Sequence, residues 1–147
     1  LMLLSDLVDQ LKLSSLKEIT ALPAEMMSLP VLFGGPVEQN RGFVLHSMDY
    51  FVKSASMAIP GNVALTATIE VLEAMALGKG PNKVALALGY AGWVGGQLED
   101  EIKHNGWLTC EPDEQLRFGA EHDMKYAYAL NKIGVDPSML SGDVGHG

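Results

Sequence analysis

The sequence predicts an α+β domain built on a mixed β-sheet. Two neighbouring pairs of short apolar segments are typical of strands that pair locally, and a later apolar segment is flanked by two amphipathic helices. The chain has 147 residues, 48% of them hydrophobic, which is enough to bury one core without disulfides or metal ions. We therefore expect a single domain over residues 1–147, with a flexible glycine-rich tail at 141–147.

The N-terminal region predicts helical structure. Apolar residues recur at i, i+3, i+4 and i+7 from Leu4 to Leu11, and Ser5 is a suitable N-terminal cap. The pattern is then irregular as far as Leu29. Within that stretch a short helical turn is predicted over residues 24–28, between two prolines.

Four strands are predicted next, in two pairs. The first pair covers residues 31–33 and 43–46, and the connection 34–42 contains three glycines and a proline. That connection is too long for a tight hairpin turn, so we expect a loop. The second pair covers 56–59 and 63–66, and the turn residues Pro60 and Gly61 separate its strands.

The second half of the chain predicts alternating helices and strands. A helix follows Thr68 and ends at Gly78, and a strand over 84–89 is apolar on both faces. A helix over 97–105, a strand over 107–110 and a helix over 123–133 complete the order.

Composition and charge exclude several classes of function. The 18 acidic residues outnumber the 10 basic ones, and the net charge of −8 argues against binding to nucleic acid phosphates. Eight of the acids fall between residues 99 and 123. No apolar stretch approaches the roughly 20 residues of a membrane span, and the N-terminus lacks the features of a signal peptide. A single cysteine, Cys110, rules out an internal disulfide and fits a reducing compartment.

The turn at residues 89–96 is the most informative segment for function. A glycine-rich turn that leads into a helix offers free backbone N–H groups to an anion. Its glycines, however, match neither the dinucleotide-binding fingerprint nor a phosphate-binding P-loop. The alternative is that glycine lets the chain turn sharply and lets Trp93 pack against backbone.

The helix that follows carries a predicted polar stripe of Gln97, Glu101 and Asn105. Glu101 either stabilises the start of the helix through its charge or acts as a base in a cleft beside Trp93. Glu101 and His104 have the spacing of a di-iron helix, but the motif occurs once. We expect no metal site and no cofactor.

Three further side chains have two interpretations each. Arg41 could clamp a carboxylate or phosphate, or it could hold the long loop to the domain. His46 is a candidate acid or base. Cys110 could be a nucleophile, but the nearby acids Glu111 and Asp113 oppose a reactive thiolate, and a packing role is the alternative.

Five stretches resemble the bacterial AlgH/YqgE family: residues 33–37, 41–46, 88–93, 96–102 and 105–108. The resemblance runs from Leu1 to about Pro137. It implies an α+β fold with a mixed or bifurcated sheet and a small barrel-like core surrounded by helices, in a cytosolic bacterial protein without an established activity. The family name comes from an association with the regulation of alginate synthesis. Family members usually carry further N-terminal strands, so the start at Leu1 suggests a processed or trimmed chain.

The leading hypothesis is a non-enzymatic binding or regulatory protein. Its partner would be a protein or a small anionic ligand, any role in transcription would be indirect, and neither nucleic acid nor membrane would be bound. We expect a cleft between the loop 34–41 and the turn 89–97. The alternative is an enzyme that acts on an anionic small molecule, with Arg41 as anchor and Glu101 or His46 as acid or base. The family supplies no catalytic residues. The candidate residues are Gly34, Gly35, Pro36, Arg41, His46, Tyr90, Trp93, Gln97, Glu101 and Asn105.

Overall fold

The computed structural model describes residues 2–10 and 23–140. The chain divides into two compact units, Leu1–Gly92 (unit 1) and Trp93–Gly147 (unit 2). The expectation of a single domain stays a prediction. The predicted tail at 141–147, and residues 11–22 of the irregular N-terminal region, lie outside the described residues. None of the helices within the described residues is long and apolar enough to cross a membrane.

Unit 1 holds a six-stranded mixed sheet with three short helices in its described part. The elements in chain order are β1 Met2–Leu3, α1 Leu4–Gln10, α2 Ala24–Met27, β2 Pro30–Phe33, β3 Val37–Ser47, β4 Ser56–Ile59, β5 Val63–Thr66, α3 Glu70–Ala76 and β6 Val84–Tyr90. The strands are ordered β1-β2-β6-β3-β5-β4. The pair β2–β6 is parallel and the other pairs are antiparallel, which confirms the predicted mixed sheet.

The expectation of a barrel-like core is wrong. Among the described residues, the edge strands β1 and β4 stand at opposite ends of the strand order and do not pair with each other, so the sheet they form is open. They are two and four residues long. Such short edges leave few unpaired backbone groups and little to drive closure.

The core of unit 1 lies on one face of the sheet. Val31, Leu86 and Val44 are neighbours in register across β2, β6 and β3, and helices α1, α2 and α3 pack against this row. Burying each large apolar side chain contributes about 1.5–3 kcal/mol. The buried cluster is Leu4, Leu7, Met26, Val31, Val44, Val71, Leu72, Ala76 and Leu86.

The predicted loop 34–42 is wrong, because β3 begins at Val37. Val37 pairs with Tyr90 and Gly42 with Leu88, and the register shifts between these two pairs. Glu38, within the irregular stretch, has a φ of 46°. Most of the predicted loop is therefore a bulged strand. The backbone of this strand pairs with β6, which is distant in sequence, so the local sequence pattern does not predict the pairing.

The regular elements of unit 2, over its described residues, are all helices or 3₁₀ turns. They are α4 Gln97–Lys103, α5 Glu114–Phe118, a 3₁₀ turn at His122–Met124 that leads into α6 Lys125–Lys132, and a second 3₁₀ turn at Pro137–Met139. The predicted strand 107–110 is wrong, since these residues form no regular element. The helix α5 was not predicted, although Asp113 caps it by accepting a 2.9 Å hydrogen bond from the Leu116 amide.

Candidate functional site

Three glycines of the predicted cleft make close backbone contacts. A Cβ atom on Gly34 would lie 2.2 Å from the carbonyl oxygen of Gly89, and one on Gly35 would lie 2.2 Å from the carbonyl carbon of Tyr90. A Cβ on Gly89 would lie 2.4 Å from the carbonyl oxygen of Gly35. These contacts explain the glycines as a requirement of folding, because only glycine permits two backbones to approach so closely.

A groove opens on the sheet face opposite the core. Phe43 and Ala87 are paired in register, and each is next in sequence to a core residue, so both point away from the helices. The groove has a volume of about 460 Å³. We call it the Arg41 groove; its lining residues are Gly34, Arg41, Phe43, Leu65, Ala87, Gly89, Tyr90 and Ala91.

Aromatic rings and one guanidinium dominate the Arg41 groove. The Phe43 and Tyr90 rings meet edge to face with centroids 5.7 Å apart. The Arg41 guanidinium carbon lies 5.2 Å from the centre of the Phe43 ring, a cation–π distance. The groove thus combines an apolar surface with one positive charge.

Glu38 occupies the polar edge of the Arg41 groove. Arg41 Nη1 donates to Glu38 Oε2 at 3.3 Å. The hydrogen bond of the Tyr90 hydroxyl to Glu38, together with the negative charge of that carboxylate, raises the pKa of Tyr90. A carboxylate of the protein itself therefore engages both polar side chains of the groove.

His46, in contrast, is part of a buried chain of polar groups. Its side chain is fully buried, and its Nδ1 lies 2.9 Å from the Ser47 carbonyl oxygen and its Nε2 2.7 Å from Thr66 Oγ1. Ser56 Oγ lies 2.7 Å from Thr66 Oγ1 and accepts from the Val52 amide at 2.9 Å.

For a neutral imidazole, the amide and carbonyl ends of this series of polar groups fix the direction of every hydrogen bond. A carbonyl accepts only, so Nδ1 of His46 donates to Ser47, and the unprotonated Nε2 accepts from Thr66. Ser56 then donates to Thr66. His46 is enclosed and both its ring nitrogens have partners, which makes it a structural member of the sheet.

In unit 2, Glu101 joins both tryptophans of the chain. Its Oε2 accepts from Trp107 Nε1 at 2.7 Å and from Trp93 Nε1 at 3.0 Å, and its Oε1 accepts from Gln97 Nε2 at 3.0 Å. The two indole rings meet edge to face at 5.6 Å. Trp107 contributes most, followed by Trp93 and Gln97, to holding the pKa of Glu101 below its usual value. We call these four residues the Glu101 cluster.

The predicted polar stripe is shorter than expected. Helix α4 ends at Lys103, and Asn105 lies beyond it with a φ of 60°, a left-handed conformation that asparagine tolerates. Asn105 therefore helps to end the helix, whereas Gln97 and Glu101 remain on one face of it.

A second carboxylate, Asp113, organises the rest of unit 2. It accepts from Tyr128 at 2.9 Å and from Lys132 Nζ at 2.9 Å, besides capping α5. Led by the contact with Lys132, these bonds lower the pKa of Asp113 to about 2. Cys110, three residues earlier, is half-buried. No group of three or more His, Cys, Asp or Glu among the described residues is placed to hold a metal ion.

The structure distributes the predicted site residues over both units. Gly34, Arg41 and Tyr90 line one groove, and Trp93, Gln97 and Glu101 form one cluster. Their meeting in a single cleft stays a prediction. Glu38, Phe43 and Trp107 were not predicted as site residues, although a second tryptophan six residues after Glu101 was a usable signal.

The fold and the groove define an α+β protein whose open mixed sheet is covered by helices on one face and carries an aromatic, cationic groove on the other. The chain belongs to the AlgH-like family, DUF179, which matches residues 2–138. The resemblance seen in the sequence motifs is thereby confirmed.

Named relatives agree with this assignment. The UPF0301 protein of Nitrobacter hamburgensis is 51% identical over 142 residues, covering 97% of this chain and 66% of that protein. The UPF0301 protein of Bradyrhizobium diazoefficiens is 51% identical over 96% of this chain and 66% of its own length. The chain thus spans about two thirds of these curated relatives.

A solved structure matches the fold. The solution structure of the AlgH protein from Pseudomonas aeruginosa superposes with a TM-score of 0.72 at 35% sequence identity, covering 99% of this chain and 74% of that one. The predicted α+β class is confirmed.

Proposed function

We propose that this chain is a non-enzymatic binding protein whose ligand or partner sits in the Arg41 groove. The observation that carries the proposal is the groove itself, an apolar surface with one cation on the sheet face that the core helices leave open. Small-molecule sites are characteristically apolar, with a few polar groups that orient the ligand.

The chemistry of the lining favours binding over catalysis. An arginine side chain stays charged and cannot act as a general base, and the pKa of Tyr90 is raised, further from the neutral range. The other lining side chains are hydrocarbon. The two residues that the enzyme hypothesis assigns as acid or base form other hydrogen bonds. His46 is bonded to the buried Thr66, and Glu101 accepts from its tryptophans. These features suit the groove to holding a molecule.

We further propose that the protein acts in the bacterial cytoplasm and that any regulatory effect on transcription is indirect. The net charge of −8 supports a route through a ligand or partner protein, because DNA phosphates would be repelled.

The proposal is tested by filling the groove. Ala91 lies on its rim and is exposed, so Ala91→Trp should occlude the groove without disturbing the sheet. The matched control is Ala58→Trp, at an exposed position on edge strand β4. Both variants and the parent chain, labelled with ¹⁵N, are screened by NMR against a library of small aromatic and aliphatic fragments.

We expect fragments to shift the amides of Gly89 and Tyr90 in the parent and in Ala58→Trp, and to lose this effect in Ala91→Trp. The bound fragments should be recovered chemically unchanged by mass spectrometry. Fragments that bind Ala91→Trp equally well would contradict the groove as the site, and conversion of a fragment into product would favour the enzyme hypothesis.

A further inference from the structure

Resting on the proposed function, we infer that the Arg41 groove takes a small aromatic carboxylic acid and that Glu38 holds the place of its carboxylate. The Glu38 carboxylate accepts a hydrogen bond from Arg41 at the edge of an aromatic surface. An incoming acid would set its ring against Phe43 and Tyr90 and its carboxylate against the donors that Glu38 now occupies.

The donors suit a carboxylate. A guanidinium is planar and binds a carboxylate through two parallel hydrogen bonds, yet Glu38 takes only one, at 3.3 Å from Nη1. The Tyr90 phenol, a further hydrogen-bond donor, lines the same groove. Glu38 thus shows where an acid binds while leaving part of the hydrogen-bonding capacity of Arg41 for a better-placed ligand.

The contact between Glu38 and Arg41 is weak enough for a ligand to displace it. The side chains of Glu38 and Arg41 are each 53% exposed, and exposed ion pairs contribute little to stability. The backbone φ of Glu38, 46°, lies in the left-handed region, which glutamate rarely adopts. The adjoining register shift in β3 leaves this residue outside the regular ladder with β6. A ligand therefore competes with a weak, exposed contact.

The remaining surface suits an aromatic ring. Phe43 and Tyr90 already meet edge to face, the arrangement that aromatic groups favour. Ala87 and Ala91 have short side chains, so the surface beside the two rings is not blocked to a planar group.

The test compares benzoate with benzamide, which has the same ring and a similar shape but no charge. Each is titrated into the ¹⁵N-labelled 147-residue chain and followed by NMR at Gly89 and Tyr90. A charge-assisted hydrogen bond is worth about tenfold or more in affinity, so benzoate should bind at least about tenfold more tightly than benzamide.

Two variants test the two proposed roles separately: Arg41 binds the carboxylate of the ligand, and Glu38 occupies the position of that carboxylate. Arg41→Gln should reduce benzoate affinity to that of benzamide. Glu38→Gln should tighten benzoate about two- to fivefold, the range for removing one exposed ion-pair competitor, and leave benzamide unchanged. Lys53→Gln and Glu25→Gln, both exposed and outside the groove, are the matched charge controls and should match the parent.

The outcomes distinguish this inference from the proposed function. Equal binding of benzoate and benzamide in the groove would overturn the carboxylate inference and leave the binding groove intact. No binding of either would also overturn it, and the fragment screen above then decides whether the groove binds at all. Unchanged or weaker benzoate binding in Glu38→Gln would overturn the placeholder role, provided that the amide spectrum of unit 1 is preserved.

Discussion

Thr66 stands at the centre of the buried polar chain, and replacing it with valine tests how much that chain stabilises the sheet. Valine keeps the shape of the side chain but removes the hydroxyl that donates to His46 and accepts from Ser56. Both Thr66 and His46 are fully buried, so water cannot take the place of the lost hydroxyl.

The size of the effect follows from the two groups left without a partner. An unsatisfied buried polar group costs about 1–3 kcal/mol. The full cost applies to Nε2 of the enclosed His46, and a smaller cost to Ser56, whose hydroxyl is only partly buried. We therefore expect Thr66→Val to lower the free energy of unfolding by about 2–4 kcal/mol.

The assay is urea unfolding followed by circular dichroism, with Thr66→Ser as the matched control. Serine keeps the hydroxyl and loses one methyl group, at a cost of about 1 kcal/mol. The urea concentration at the midpoint of unfolding should therefore fall more for valine than for serine. The slope of the unfolding free energy against urea concentration should not change. A larger loss for serine than for valine would show that the methyl group matters more, and would refute the reasoning about the hydrogen-bonded chain.

Three further predictions concern the glycine contact, the Glu101 cluster and the acid Asp113. Gly34→Ala should destabilise the protein by about 3 kcal/mol, because its Cβ would overlap the Gly89 carbonyl oxygen, whereas Gly95→Ala, with open space around it, should be near neutral in the same urea assay. Glu101→Gln should change the tryptophan emission spectrum, since both tryptophans of the chain donate to this carboxylate; the exposed neighbour variant Glu99→Gln should not. Asp113 has a pKa lowered from 3.8 to about 2, so it stabilises the fold above pH 3.8 and loses that effect as the pH falls towards 2. The melting temperatures of the parent and Asp113→Asn, recorded by circular dichroism, should therefore differ at pH 6 and converge near pH 2.

Each of these predictions has an outcome that would count against it. Equal stability of Gly34→Ala and Gly95→Ala would mean that β2 and β6 separate at no cost. Unchanged emission in Glu101→Gln would mean that another acceptor serves the indoles. A constant difference in melting temperature between pH 6 and pH 2 would show that the charge of Asp113 is not the stabilising feature.

The sequence predicted those elements whose signal is local. The strands at 56–59 and 63–66 match β4 and β5 residue for residue, because two short apolar segments and the Pro-Gly turn between them lie within one hairpin. The helix predicted between Thr68 and Gly78 is α3, and the residues predicted at 97–105 include α4. The family motifs could also be recognised from the sequence, because each motif is a contiguous stretch of residues.

Errors arose where distant contacts overrode local pattern. The glycine-rich stretch after Phe33 looked like a loop, but its backbone pairs with β6, some fifty residues later in the chain. Residues 107–110 looked like a strand, but Trp107 turns towards Glu101. Both outcomes depend on partners whose positions only the folded chain defines.

By itself, the sequence determined the α+β class, the mixed sheet and the family, and it identified Arg41 as a candidate site residue. Only the tertiary structure decided that His46 is enclosed, that Glu101 accepts hydrogen bonds from two indoles, and that Glu38 pairs with Arg41. The physical reason is that residue type sets what a side chain can do, whereas burial and hydrogen-bond partners, which come from distant parts of the chain, set what remains available to a ligand.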